Sequence, residues 1–334
     1  CIITVYAVSE NILSSGDFVL INSYLLEFMT PLTYLGNVLA EVYRSYSNVK
    51  NSFEIQNIEL QDQKNLKKHI IKNANITFDK VSLSIKNKSL INDASFKIKN
   101  KSTISIVGAS GSGKSTCLKL ALKLVSPTKG KIEIDGQNLE ELDSKYLRSQ
   151  ISIVPQETML VKGTILENIF YGQDKNNINL ESKNIKKIIK MARMENFISN
   201  LSDGLNTNLD GIQISGGEKQ RISIARALAR NPKICIFDEP TSALDSKMQS
   251  EIINTISQLH GKFTMLIVAH HLPIAQKSDK IIVLRKGKIV EIGTHNELIK
   301  NKGYYYRLWK EQDLIEEIQP KNKIKHIIKD MQSS

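Results

Sequence analysis

Apolar and polar positions along this chain follow different rhythms in successive stretches, and each rhythm predicts a different element. Phe18 to Ala40 (FVLINSYLLEFMTPLTYLGNVLA) is a mostly apolar run of the length that crosses a bilayer as a helix. A buried helix of a soluble protein fits the same run, because Glu27 and several polar residues interrupt it. If it spans, Glu27 must face a protein cavity, since a charge in lipid costs about 3 kcal/mol or more. Cys1 to Leu13 reads as the tail of a preceding span, with Ser14 to Asp17 as the turn between them. The expected divisions are residues 1–49 as the end of a transmembrane domain, 50–73 as a Lys/Gln/Asn-rich linker, 74–312 as a second domain and 313–334 as a tail.

From Ile76 the rhythm shortens. The runs ITFDKVSLSI, ASFKIK and STISIVG predict strands, and the last leads through a glycine loop into an apolar helix, the opening of an α/β domain. Lys183 to Lys190 (KNIKKIIK) places Lys and Ile at helical spacing, as a solvated amphipathic helix does.

Composition adds less. A net charge of +12 could serve nucleic acid or an anionic membrane, but Lys is spread over nearly every exposed stretch rather than gathered in a patch. No nucleic-acid partner is expected. Cys1, Cys117 and Cys235 have no CxxC spacing, and two of them sit in apolar segments, so core thiols in a reducing compartment are expected. The chain starts at Cys1 without an initiating Met or a leader pattern, and reads as part of a longer polypeptide.

Candidate chemistry begins after the strand Ile104 to Val107. Gly108, Ala109, Ser110, Gly111, Ser112, Gly113, Lys114, Ser115 and Thr116 match GxxxxGK[ST], a loop whose backbone N–H groups and following helix N-terminus cradle phosphates. Lys114 is placed for the β and γ phosphates and Ser115 for Mg²⁺. A second element, Ile234 to Glu239 (ICIFDE), is an apolar strand that delivers two carboxylates to a sheet edge. Asp238 is suited to hold Mg²⁺, and Glu239 to polarise the water that attacks the γ-phosphate.

The third element is Ile214 to Arg221 (ISGGEKQR) before the apolar-periodic ISIARALA, another helix N-terminus with a Ser hydroxyl. It resembles the signature sequence of ATP-binding cassette proteins. In that family the signature residues, here Ser215, Gly216, Gly217 and Glu218, close on ATP held by the partner domain, which implies a dimer. The resemblance extends to Gln156 as the glutamine that contacts Mg²⁺ and the attacking water, to Ser242-Ala243-Leu244-Asp245 as the D-loop, and to His270 as the switch histidine. It covers about Ile76 to Lys310 and implies a P-loop (RecA-like) α/β core, an antiparallel β subdomain near residues 76–105, and a helical subdomain from about 157 to 226. An all-α transmembrane domain would precede them.

Upstream, Gly16 to Asn22 and Pro31 to Gly36 are similar to the last membrane helix of half-transporters linked to mitochondrial iron–sulfur export and heavy-metal tolerance, and of their bacterial relatives. That likeness implies ATP and Mg²⁺ as cofactors, and export of a small molecule, glutathione-related or metal-thiol in kind. It also implies a homodimer of half-transporters in a bacterial inner or organellar membrane, among lipid, with the nucleotide domain on the cytosolic or matrix side. A lipid or drug exporter of the same fold, a non-transport cassette ATPase and a regulatory module without turnover remain open.

Several positions depart from the family. Ile85 stands where an aromatic stacks on adenine, a contact worth about 1 to 3 kcal/mol per base elsewhere. Asn208 to Gly211 is shorter than the usual segment before the signature, which bears on coupling. Thr33 replaces an Asn, and Leu39-Ala40 a Tyr-Arg pair, so substrate contacts do not carry over.

Overall fold

The structure, a computed structural model, describes residues 6, 12, 14–56, 70–86, 88–173, 182–242 and 244–313. The expected tail of a preceding span, the linker from residue 57 to 69, Ala243 of the D-loop and the tail beyond residue 313 lie outside them, apart from residues 6 and 12. The chain divides into two compact units, residues 1–64 and 65–334.

The first unit carries α1 (Ser15–Gln56), a helix of 42 residues that outruns the apolar stretch at both ends. Within Gly16–Lys50 an 18-residue window reaches a mean hydropathy of 1.2 and none of that window is buried in the protein, so the helix is long and apolar enough to cross a membrane. Several polar side chains of this stretch bond within the helix: Ser23, Thr30 and Thr33 hydroxyls donate to the carbonyls of Val19, Leu26 and Met29. Hydrocarbon demands that economy, because it offers polar groups no partner. Pro31 lies inside the helix and supplies no N–H to the carbonyl of Glu27.

The second unit has two sheets. The antiparallel one is built from β1 (Ile76–Ile85), β2 (Lys88–Ile98), β4 (Lys129–Ile134) and β5 (Gln137–Asn138), in the order β2-β1-β4-β5. The expected β subdomain over residues 76–105 begins at Ile76 as expected and is corrected at its C-terminal end. Thr103–Val107, as β3, is buried at every position and belongs to the other sheet, whereas β1 alternates buried and exposed as one packed face requires. Residues 129–138 take its place, pairing Phe78 with Ile132 across the antiparallel ladder.

The six-stranded sheet runs β10-β9-β3-β8-β7-β6, with β6 (Ile151–Val154), β7 (Ile234–Asp238), β8 (Thr264–Ala269), β9 (Lys280–Arg285) and β10 (Lys288–Gly293). All pairs in it are parallel except β9 with β10. Its inner strands read as unbroken apolar runs because helices cover both faces. Those helices include α2 (Lys114–Ala121), which follows the glycine loop, and α3 (Ser144–Gln150). Between β6 and β7 lie α4 (Ile165–Ile169), α5 (Ser182–Met191), α6 (Glu195–Ser199) and α7 (Gly216–Ala229). In α5, Lys183, Lys186 and Lys187 are exposed while Ile188 is buried, as the spacing predicted. Cys117 and Cys235 are free and buried, and burial pushes each thiol up to about 12. After β7 come α8 (Ser246–Ser257), α9 (Leu272–Ala275), α10 (His295–Asn301) and helical residues 304–313.

Candidate nucleotide site

The glycine loop stands at the end of β3, where a parallel sheet opens its carboxyl edge to ligands. Two of its glycines are required by space. A Cβ on Gly108 would lie 2.3 Å from the carbonyl oxygen of Leu284, and one on Gly113, at φ +108°, would lie 2.7 Å from Ile91 Cδ1. Gly113 is the N-cap of α2 and supplies no side-chain cap, so the first N–H groups of the helix stay available to an anion.

Lys114 is almost fully buried, and its Nζ donates to the carbonyls of Gly108 (2.8 Å) and Ala109 (3.2 Å). Burial pulls this ammonium below the usual lysine range, while the charges of Glu239 and Asp238 act in the opposite direction. Asp238 ends β7; burial pushes its carboxyl above the ordinary aspartate range and neighbouring Glu239 adds to the push, against Lys114 and Lys119. Glu239 sits at φ +45°, a left-handed conformation that costs a non-glycine residue about 1 kcal/mol. Its N–H donates to the Val268 carbonyl at 3.0 Å, and its own carbonyl accepts from the Ser242 N–H and hydroxyl. A sharp turn held on both sides therefore presents Glu239 at the sheet edge.

One cleft is lined by Ser110, Gly111, Gly113, Lys114, Ser115, Thr116, Glu239 and His270 together. Lys88, Ser89 and Leu90 from the start of β2, and Lys286 and Gly287 from the β9–β10 turn, complete it. Sequence reading missed that second group. A signal existed: Lys286 and Gly287 both take positive φ, the requirement of a two-residue hairpin, and Lys-Gly between apolar runs marks such a turn. Lys88 and Lys286 add two cations to a cleft that already holds Lys114. Ile85, at the end of β1, is exposed.

Other predicted residues are held elsewhere. Gln156 is exposed beyond β6 and does not line the cleft. Its flanks are fixed from α7, where Gln220 Oε1 accepts from Thr158 Oγ1 at 2.8 Å and Gln220 Nε2 reaches the Pro155 carbonyl at 3.5 Å. Ser215 caps α7: its Oγ accepts from the Glu218 N–H, and Glu218 accepts in return from the Ser215 N–H and hydroxyl. Asp245 caps α8 by accepting from the Met248 N–H at 2.9 Å. Ser215, Gly216, Gly217, Glu218 and Asp245 are all absent from the cleft of their own chain.

The cleft fits a triphosphate and a hard cation. Ser112 Oγ, in the loop behind the cleft, is buried without a hydrogen-bond partner among the described residues, Gly111 faces open space, and Ser115 in the cleft and Asp238 at the end of β7 offer hard oxygen donors.

This fold and cleft define a P-loop nucleotide-binding domain of the cassette type, and residues 91–242 match the ABC transporter family. The chain thus carries an ABC transporter domain over those residues. It is 35% identical to an ATM1-type heavy metal exporter of Novosphingobium aromaticivorans, over 92% of this chain and 51% of that protein. It is 38% identical to the mitochondrial iron–sulfur clusters transporter ATM1 of Debaryomyces hansenii, over 92% of this chain and 45% of the relative. Among solved structures, a bacterial Atm1-family ABC exporter with ATP bound superposes with a TM-score of 0.71 at 33% identity, covering 90% of this chain and 53% of that one. The chain spans about half the length of the curated relatives it matches.

Proposed function

We propose that this chain is the ATP-hydrolysing half of a membrane exporter that works as a dimer of identical chains. The observation that carries the reading is the split site. One chain gathers Lys114, Glu239 and His270 in one cleft and keeps its own Ser215 and Asp245 out of it. A second copy would bring its Ser215 hydroxyl and the start of its α7 to the γ-phosphate, so that two composite sites form only when two chains close on each other.

Within such a site the loop from Gly108 to Thr116 binds the phosphates through backbone N–H groups, and Lys114 leaves the carbonyls of Gly108 and Ala109 for phosphate oxygens. Ser115, Asp238 and Gln156 would hold Mg²⁺, which would supply positive charge to offset that of the phosphates. Glu239 accepts a proton from the attacking water, and His270 donates to the γ-phosphate oxygen. ATP favours the closed dimer because only that state offers both surfaces, and this differential affinity shifts the helices such as α1 between their states.

The substrate reading is a glutathione-related or metal-thiol compound, in a bacterial inner membrane or an organellar one, with the nucleotide domain on the cytosolic or matrix side. Relatives named for iron–sulfur clusters and for heavy metals support it. The test is ATP hydrolysis by the full-length polypeptide in lipid, with and without glutathione or a metal–thiol conjugate, beside Glu239→Gln. Turnover should fall at least about a hundredfold in the variant with ATP binding kept. Turnover that survives in Glu239→Gln refutes the assignment of the base, and turnover indifferent to the thiol compounds removes the substrate class.

A further inference from the structure

We propose that Gln312 is a positioning residue for His270, holding the switch histidine by a bidentate grip on the backbone that follows it. The inference rests on the reading of His270 as the group that meets the γ-phosphate.

His270 directly follows β8, and a short helix, α9, starts at Leu272. The intervening residue, His271, is extended at φ −93°, ψ 114°, and its side chain makes no capping bond. Pro273 within α9 supplies no N–H. Gln312 grips this link from another element: its Nε2 donates to the His270 carbonyl at 2.5 Å, and its Oε1 accepts from the Leu272 N–H at 2.9 Å. These two groups flank His271 and face one side, as they do for any extended residue. The side-chain amide thus pairs with the chain as a neighbouring parallel strand would, and it caps the orphan N–H at the start of α9.

The grip is only as firm as the element behind it, and that element is anchored. Helical residues 304–313 begin where both carboxylate oxygens of Glu291 accept backbone N–H groups, from Tyr304 at 2.6 Å and Tyr305 at 2.9 Å. Tyr305 is fully buried, with its hydroxyl 2.9 Å from His295 Nδ1, and Trp309 packs its ring 4.6 Å from that of His295. Gln312 lies two turns further along this pinned helix. The start of the helix is fixed to β10 and α10, so its far end is a rigid arm for the His270 loop. No catalytic motif includes Gln312; it acts through the loop it holds.

The experiment measures ATP turnover of the full-length polypeptide in lipid, per ATP bound at saturation, for Gln312→Leu, Gln312→Glu, His270→Ala and the double variant His270→Ala/Gln312→Leu. Normalising to bound ATP removes misfolded chains from the rate. Gln312→Leu should lower kcat about tenfold and leave KM for ATP within about twofold, because two hydrogen bonds are lost at the switch and none at the cradle. Gln312→Glu keeps the acceptor for Leu272 but sets an acceptor-only carboxylate against the His270 carbonyl, so it cannot restore the grip and kcat should again fall about tenfold. In the His270→Ala background Gln312→Leu should cost nothing further, since a residue that acts through His270 has nothing left to position. Equal losses in both backgrounds, or kcat within about twofold of the parent in Gln312→Leu, overturn the inference while leaving the role of His270 intact. Turnover unchanged in His270→Ala itself overturns that role, and the inference with it.

Discussion

Two helices of this domain start from glycine-rich loops, and they treat their unpaired N–H groups in opposite ways. At α2 the cap is Gly113, in a left-handed conformation with no side chain to offer, and the buried Lys114 head is parked on loop carbonyls. At α7 the cap is Ser215, and a reciprocal capping box with Glu218 already satisfies the end of the helix. The same local physics leaves one helix start open to an anion in its own chain and closes the other on itself, and on the proposed reading the Ser215 hydroxyl of that second start serves a second copy. A third cluster shows the limit of self-satisfaction. The N–H groups of Lys72, Asn73, Ala74 and Asn75 all converge on the carboxylate of Asp135, a nest filled by the protein itself.

The sharpest way to break the contrast is to give α2 a side chain at its cap. Gly113→Ala puts a Cβ within 2.7 Å of Ile91 Cδ1 and 3.0 Å of the Leu90 carbonyl, at a φ that alanine avoids. The loop must shift, and with it every N–H aimed at phosphate. ATP affinity should fall by more than about a hundredfold, measured by equilibrium binding of a labelled nucleotide. Affinity within about threefold of the parent would mean that the cradle is not the seat of binding.

Much of this geometry was legible along the chain because it is local. The GxxxxGK[ST] loop is contiguous, and β3, β7 and β8 are apolar runs that name themselves. What was not legible is held by pairing at a distance. β4 joins the antiparallel sheet through Phe78 with Ile132, a match that no stretch of either strand declares. Helix α1 runs to Gln56 although its apolar signal stops near Ala40, since a polar helix need only avoid breakers. Gln312 belongs to no motif, and its role exists only because residues 304–313 fold back on the loop after β8.

The next test addresses the filled nest. Burial works to raise the Asp135 pKa, but the backbone donors outweigh it and hold the carboxyl below the usual aspartate range. A folded pKa below the unfolded one contributes stability that is present above the unfolded value, near 3.8, and is lost as pH falls through the folded value. Asp135→Asn should therefore cost about 2 kcal/mol at pH 7, with the partial exposure of the carboxylate keeping the figure modest. The gap between parent and variant should close below about pH 4. Unfolding followed through Trp309, the only tryptophan in this sequence, reads both quantities. A gap that stays constant down to pH 3 would show that shape, not charge, holds the nest.

The smallest expected effect separates capping from catalysis at α7. Ser215→Ala removes an N-cap and should lower stability by about 1 kcal/mol. If the proposed dimer uses this hydroxyl, turnover should drop as well, while nucleotide affinity in the cleft of the same chain stays unchanged. Ser215→Asp is the decisive partner. An aspartate caps a helix as well as serine does, so stability should return to within about 0.5 kcal/mol of the parent. Its charge, however, would stand against the γ-phosphate of the other copy, and turnover should fall below that of the alanine variant. If Ser215→Asp regains both stability and turnover, α7 contributes nothing but its own helix end, and the contrast between the two glycine-led starts loses its functional meaning.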